Sequence, residues 1–335
     1  MRVALLGPIA WRTPPRHYGP WELITGLLAD GLADRDIDVT LFATLDSVTR
    51  AKLDGVCPRP YEEDPVMDGR VWEAIHVAHA LSRSGDFDLI HNHLDWLPLA
   101  FSALTETPVV TTIHGFSSPR ILPAYRRSKS AFVSISDSDR SPDLDYVATV
   151  HHGVDAGHLP FSEAGGDGLV CFGRIHPDKG THEAVAIARR AERPLVICGP
   201  VQDERYWLEQ VEPHVDGERV RYLGSVGPGE RAAVLGAAAC LLHPIAFEEP
   251  FGLSVVEAMI CGTPVVAYPR GSMPEIVEDG VTGLLARGVP DAAAAVDRAS
   301  DLDRGACRRA ALQRFGVRRM VDAYLRVYED VLRGH

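Results

Sequence analysis

Lysine is scarce in this chain. Only Lys52, Lys129 and Lys179 occur among its 34 cationic residues, and arginine supplies the rest. Against 46 acidic residues this leaves a formal net charge of -12, which argues against a general electrostatic affinity for nucleic acid or anionic membranes. Any phosphate must be held by a local site, so each lysine is worth locating. Apolar runs of membrane-spanning length are absent, and the opening MRVALLGP is interrupted too early for a secretory leader. The expectation is a cytoplasmic protein without strong membrane association. Paired cysteines are also lacking: Cys57, Cys171, Cys198, Cys240, Cys261 and Cys307 are scattered, without the spacing of a zinc or dithiol motif. Their apolar neighbours point to buried, reduced thiols.

What is present is length and alternation. With 335 residues, 46% of them hydrophobic, the chain can form two ordinary globular domains. Short apolar runs at 3–7, 39–43, 88–91, 109–113, 131–135 and 147–150 read as strands, with helical spacing over 21–32 and 71–81. A polar, glycine-rich stretch, FSEAGGDG at 161–168, reads as a linker. Strand-like runs then restart at 169–172, 195–198, 220–223, 240–242 and 265–267, with helices over 181–190 and 230–238. Continuous apolar strands separated by helices predict parallel sheets covered on both faces. The reading is therefore α/β, with two doubly wound Rossmann-like domains in series, 1–160 and 161–316. Ligands of such sheets sit beyond the carboxyl ends of the strands. An amphipathic helix over 317–332, within the terminal segment 317–335, can pack back on the first domain.

Two stretches of the second half carry chemistry. Gly173-Arg174-Ile175-His176-Pro177-Asp178-Lys179-Gly180 joins a strand to a helix, and its two cations beside a helix start suit a phosphate. A solvated surface turn is the equally weighted plain reading. The second stretch is EEPFGLSVVE, where Pro250 and Gly252 mark a loop and a helix is predicted to begin near Leu253. Glu249 then stands in the loop and Glu257 within the helix, each a two-oxygen acceptor for sugar hydroxyls. Helix capping accounts for Glu248 or Glu249, but hardly for Glu257. Glu248 is read as a solvated neighbour and His151-His152 as linker. His91, His93 and Asp95 lie close enough in sequence to raise a metal site, but pocket lining at a strand end is favoured and no metal is expected.

These motifs, taken in order, resemble the retaining nucleotide-sugar glycosyltransferases of the GT-B fold, the large family 4. The resemblance rests on Glu249-Pro-Phe-Gly-Leu-Ser-Val-Val-Glu257, on Gly173-Arg174 with Lys179-Gly180, and on Gly271-Ser-Met-Pro-Glu275 with Gly280-Val-Thr-Gly283. In the first half Tyr18-Gly19, Asp88-Leu-Ile-His91-Asn-His93 and Thr112-Ile-His114-Gly115 match too. It implies two Rossmann-like domains facing across a cleft, the first for an acceptor and the second for a donor. It further implies that Arg174 and Lys179 hold the donor diphosphate and that Glu257 accepts from the ribose. Glu249 would contact the transferred sugar, helped by backbone around Phe251, Gly252 and Leu253. Gly19 would approach the diphosphate, and His114 would lie beside the sugar. Tyr18, His93 and Trp96 are the expected acceptor-binding residues, with Trp11, Arg16 and His17 nearby. A front-face reaction needs no protein nucleophile, and no cofactor or essential metal is expected. The implied activity is transfer from a UDP- or GDP-type sugar to a hydroxyl of a small molecule or saccharide. A nucleotide-sugar epimerase and a non-catalytic nucleotide-sugar binding protein are the alternatives. Pro20 departs from the usual second glycine and removes a backbone donor; it also suits the first position of a helix.

Overall fold

The computed structural model describes residues 1–17, 19–115 and 118–334. The chain forms two compact units, one of residues 1–153 with 317–335 and the other of residues 154–316. The glycine-rich 161–168 therefore lies inside the second unit, and the division falls at Gly153. The segment 161–168 is anchored there, with Ser162 N donating to Cys261 O and Gly166 N to Ala237 O.

In the first unit the strands are Arg2–Leu6 (β1), Asp38–Phe42 (β2), Lys52–Asp54 (β3), Leu89–Asn92 (β4), Val109–Ile113 (β5), Ala131–Ser134 (β6) and Tyr146–Thr149 (β7). They form one seven-stranded sheet in the order β3-β2-β1-β4-β5-β6-β7. The strand pairs are parallel throughout. The second unit holds Leu169–Phe172 (β8), Leu195–Cys198 (β9), Val220–Tyr222 (β10), Cys240–His243 (β11), Val265–Ala267 (β12) and Gly283–Leu285 (β13). Its parallel sheet runs β10-β9-β8-β11-β12-β13. Both orders reverse direction next to their first strand, at β1/β4 and at β8/β11. Such a switch point opens a crevice at the carboxyl ends of the strands, and both crevices receive the residues discussed below.

The central strands are buried because both sheet faces are covered. Leu5, Leu6, Leu41, Phe42, Leu241 and Leu242 have no exposed surface, and each such side chain contributes about 1.5–3 kcal/mol by leaving water. Helix Pro20–Ala33 begins on the proline, whose missing N–H would have had no intrahelical partner. Asp36, in the turn before β2, adopts φ +58°, a left-handed conformation that aspartate tolerates better than most residues. The terminal helix Val317–Arg333 buries Met320, Val321, Tyr324, Val327 and Tyr328. Their spacing makes one apolar stripe, and Arg35 ties the helix down through Asp322 at 2.6 Å. All six cysteines are free and buried. Among the described residues no helix is long and apolar enough to cross a membrane.

Candidate functional site

In the second unit the chain leaves β8 at Phe172 and turns through Gly173 to the short 3-10 turn Pro177–Lys179. His176 stabilises that turn by accepting from Asp178 N. Gly180 follows at φ +65°, where a Cβ would stand 2.0 Å from the carbonyl oxygen of Pro244. Only glycine fits this close approach between the turn and the end of β11. The approach brings Lys179 to the loop after β11. Lys179 Nζ lies 2.5 Å from Glu249 Oε2 and 4.5 Å from the centre of the Phe247 ring. His243 Nε2 lies 3.4 Å from the same carboxylate oxygen. Burial alone would raise the Glu249 carboxyl, but His243 and the Lys179 ammonium outweigh it and hold the group at about 2. Burial in turn lowers the pKa of His243, which therefore stays neutral near pH 7.

Glu257 is buried inside helix Leu253–Ile260. Its two oxygens lie 3.0 and 3.3 Å from Arg231 Nη1, and the guanidinium also covers the Phe172 ring at 4.9 Å. Burial raises the Glu257 carboxyl, and Arg231 opposes that rise without reversing it. Arg174, the other expected phosphate ligand, is held by Gln202 Oε1. Phe251 is buried with its ring edge-on to Phe315, and Gly252 caps the start of the helix in the left-handed region. Glu248 is exposed, as expected from sequence, and it also accepts from Gly271 N. Gly271 has φ +55°, and a Cβ there would meet Glu249 N at 2.3 Å. With Ser272 N donating to Glu249 O at 2.8 Å, this contact fixes the backbone that carries Glu249.

The first unit places a row of imidazoles at the ends of β4 and β5. His91 Nδ1 meets Tyr328 Oη at 2.7 Å and His93 Nε2 at 3.2 Å. His93 Nδ1 meets His114 Nε2 at 2.9 Å, and His114 Nδ1 meets His152 Nε2 at 3.4 Å. His91 Nε2 closes on Thr112 Oγ1, which also meets Tyr324 Oη. Burial drives the pKa of His91, His93 and His114 well below the usual value, and that of His152 to about 3. The row is thus neutral at physiological pH. His93 lies fully buried beneath His114 instead of lining an open pocket, and His152 is a member of the row, not linker. Among the described residues no group of His, Cys, Asp and Glu gathers as a metal site.

Beside this row, Trp21 stacks on His114 with ring centres 5.2 Å apart. Trp21 also lines a cavity of about 410 Å³, together with Trp11, Trp96 and Glu22. Gly19, at φ +147°, precedes Pro20 at the start of the helix that carries Trp21 and Glu22. Tyr18 lies outside the described residues. Arg16 points to Asp46 and Glu63, and His17 is exposed. Sequence reasoning missed Arg231, His243, Gln202 and Glu22. Of these only His243 carries a signal, as the polar residue ending an otherwise apolar strand, Cys240-Leu-Leu-His243.

Comparison with solved structures recovers the same architecture. AviGT4, a glycosyltransferase of avilamycin A biosynthesis, superposes with a TM-score of 0.78 at 24% identity, covering 100% of this chain and 99% of that one. HepE of Anabaena, in complex with UDP and glucose, gives 0.77 at 20% identity over 98% and 100% of the two chains. Two parallel Rossmann-like units of this kind define the GT-B class. Residues 23–154 match the family model described as Glycosyltransferase Family 4, and residues 166–302 match Glycosyl transferases group 1. The chain belongs to the family 4 glycosyltransferases. Among curated relatives, glycogen synthase of Mycobacterium tuberculosis is 27% identical over 92% of this chain and 88% of its own. The D-inositol 3-phosphate glycosyltransferase of Mycolicibacterium smegmatis is 29% identical over 95% and 79%.

Proposed function

We propose that this glycosyltransferase moves a hexosyl group from a UDP- or GDP-type sugar to a hydroxyl of a small-molecule or saccharide acceptor, with retention at the anomeric carbon. The observation that carries the reading is the Lys179–Glu249 pair at the β8/β11 switch point, with a helix start between Glu249 and the buried Glu257. Glu249 uses one oxygen for Lys179 and keeps the other for sugar hydroxyls. An ammonium has three donors, so Lys179 can serve Glu249 and a phosphate oxygen together. Arg174 adds a second cation, and the first N–H groups of helix Leu253–Ile260 have no intrahelical partners. Glu257, oriented by Arg231, accepts from the ribose.

In the reaction the bond from the anomeric carbon to the diphosphate oxygen breaks as negative charge grows on the leaving group. The acceptor oxygen bonds to the same face of that carbon, and its proton passes to the departing phosphate. Fixed donors aimed at that charge are each worth roughly 3–4 kcal/mol of barrier. In the free protein the Glu249 carboxylate is ionised and bound to Lys179, which suits a hydroxyl acceptor better than a nucleophile. His114, both of whose nitrogens face other imidazoles, would meet the sugar through its ring edge or its backbone.

The reading is tested by thermal shift with UDP, GDP, dTDP and ADP and their sugars. A true donor at 100 times its Kd stabilises by about 2.7 kcal/mol. Transfer should follow with that donor and vanish in Glu249→Gln and Arg174→Ala, and the anomeric coupling constant of the product should equal that of the donor. If no nucleotide stabilises the chain at millimolar concentration, the donor assignment fails. Binding without transfer or hydrolysis would instead mark a nucleotide-sugar binding protein.

A further inference from the structure

The cavity of the first unit has a chemistry of its own. Its volume, about 410 Å³, falls in the range of small-ligand sites. Its lining includes the indoles of Trp11, Trp21 and Trp96 and three acidic residues, Glu22, Glu73 and Asp95. Among the described residues no lysine, arginine or histidine lines it. The partners of the three acids are neutral. Trp11 N donates to Glu22 Oε1 at 3.1 Å, Tyr61 Oη to Glu73 at 2.8 Å, and Tyr125 Oη to Asp95.

Glu22 is the innermost of the three, with 3% of its surface exposed. Burial lifts Glu22 to about 7 and raises Glu73 and Asp95 as well, as expected for anions that lack a counter-charge. A neutral sugar could stack on the indoles and donate hydroxyls, but it would leave that charge uncompensated. A protonated amine would neutralise it, and indole faces attract cations as well.

We propose that this cavity is the acceptor subsite and that it takes an amino polyol, an amino sugar or a related cyclic amine, through its ammonium group. The word acceptor rests on the glycosyltransferase reading above; the preference for a cation stands on the cavity alone.

The test is calorimetric titration of the full chain at pH 7 with D-glucosamine and D-galactosamine, each against its parent sugar and its N-acetyl derivative. One charge-assisted hydrogen bond is worth roughly 1.5–3 kcal/mol, so the amines should bind at least about tenfold more tightly. Glu22→Gln should bring amine and N-acetyl derivative to within about threefold. Glu73→Gln, on the partly exposed face of its helix, should narrow the gap in the same direction and serves if Glu22→Gln does not fold. Equal binding of charged and neutral sugars, an unchanged preference in both folded variants, or no binding of either amine overturns the proposal. Nucleotide stabilisation without amine preference would sink this inference and leave the donor reading standing. Amine preference without any nucleotide effect would do the reverse.

Discussion

The cavity of the first unit and the candidate donor site of the second treat their carboxylates in opposite ways. In the second, Glu249 and Glu257 each meet a cation, Lys179 or Arg231. In the first, Glu22, Glu73 and Asp95 meet only neutral donors, and the neighbouring histidines are held uncharged. The difference shows in the acids themselves: Glu249 is pushed down to about 2 and Glu22 up to about 7. A site whose charges are already paired can receive a dianionic diphosphate beside its cations without stranding its own carboxylates. A site with unpaired acids is incomplete until something positive arrives.

Breaking the paired side should have the largest effect. Lys179→Met leaves Glu249 buried beside a neutral His243, at a cost of about 3–5 kcal/mol, readable by urea denaturation. The same substitution should lower transfer by about 10²–10³-fold through loss of charge stabilisation. The acid limb sharpens the contrast. Glu249 has a folded pKa below its ordinary 4.5, so its stabilisation is complete above about pH 4.5 and fades as pH falls towards 2.

Glu22 has the opposite sign. Its folded pKa lies above its ordinary 4.5, so the stabilisation it gives as a neutral acid is present below pH 4.5 and lost as pH rises to about 7. Glu22→Gln should therefore make the chain more stable than wild type above pH 7, by up to roughly 3 kcal/mol. Denaturation at pH 5 and pH 8 measures the change, and equal stability at both would remove the asymmetry between the units. The smallest expected effect is that of Tyr328→Phe, which deletes one hydrogen bond to His91 and should cost about 1 kcal/mol. Because the row is neutral, that loss should not vary between pH 6.5 and 9.

Much of the fold was legible because buried parallel strands are continuous apolar runs. Residues 109–113, 169–172, 195–198 and 265–267 read as strands and are strands with those bounds. The edge strands Lys52–Asp54 and Gly283–Leu285 were missed, since three residues on a sheet edge carry little apolar signal. The helix start at Leu253 was readable from Pro250 and Gly252. The partners of the site were not. Arg231 sits in an unremarkable alanine-rich helix, and its meeting with Glu257 depends on how that helix packs. Glu22, in the first turn of its helix, carries no local sign that its surroundings bury it. His152 read as linker because it stands next to Gly153, where the chain crosses between units, and nothing local shows that its ring meets His114.

The imidazole row has a further property. A neutral imidazole owns one hydrogen and one lone pair, so four of them in sequence can point only all one way or all the other. Whether the phenol of Tyr328 gives or takes at His91 thereby decides which nitrogen of His114 carries hydrogen. The last helix of the chain, made after every residue of the second unit, thus holds one end of a two-register code. The other end is His152, one ring beyond the imidazole on which Trp21 stacks.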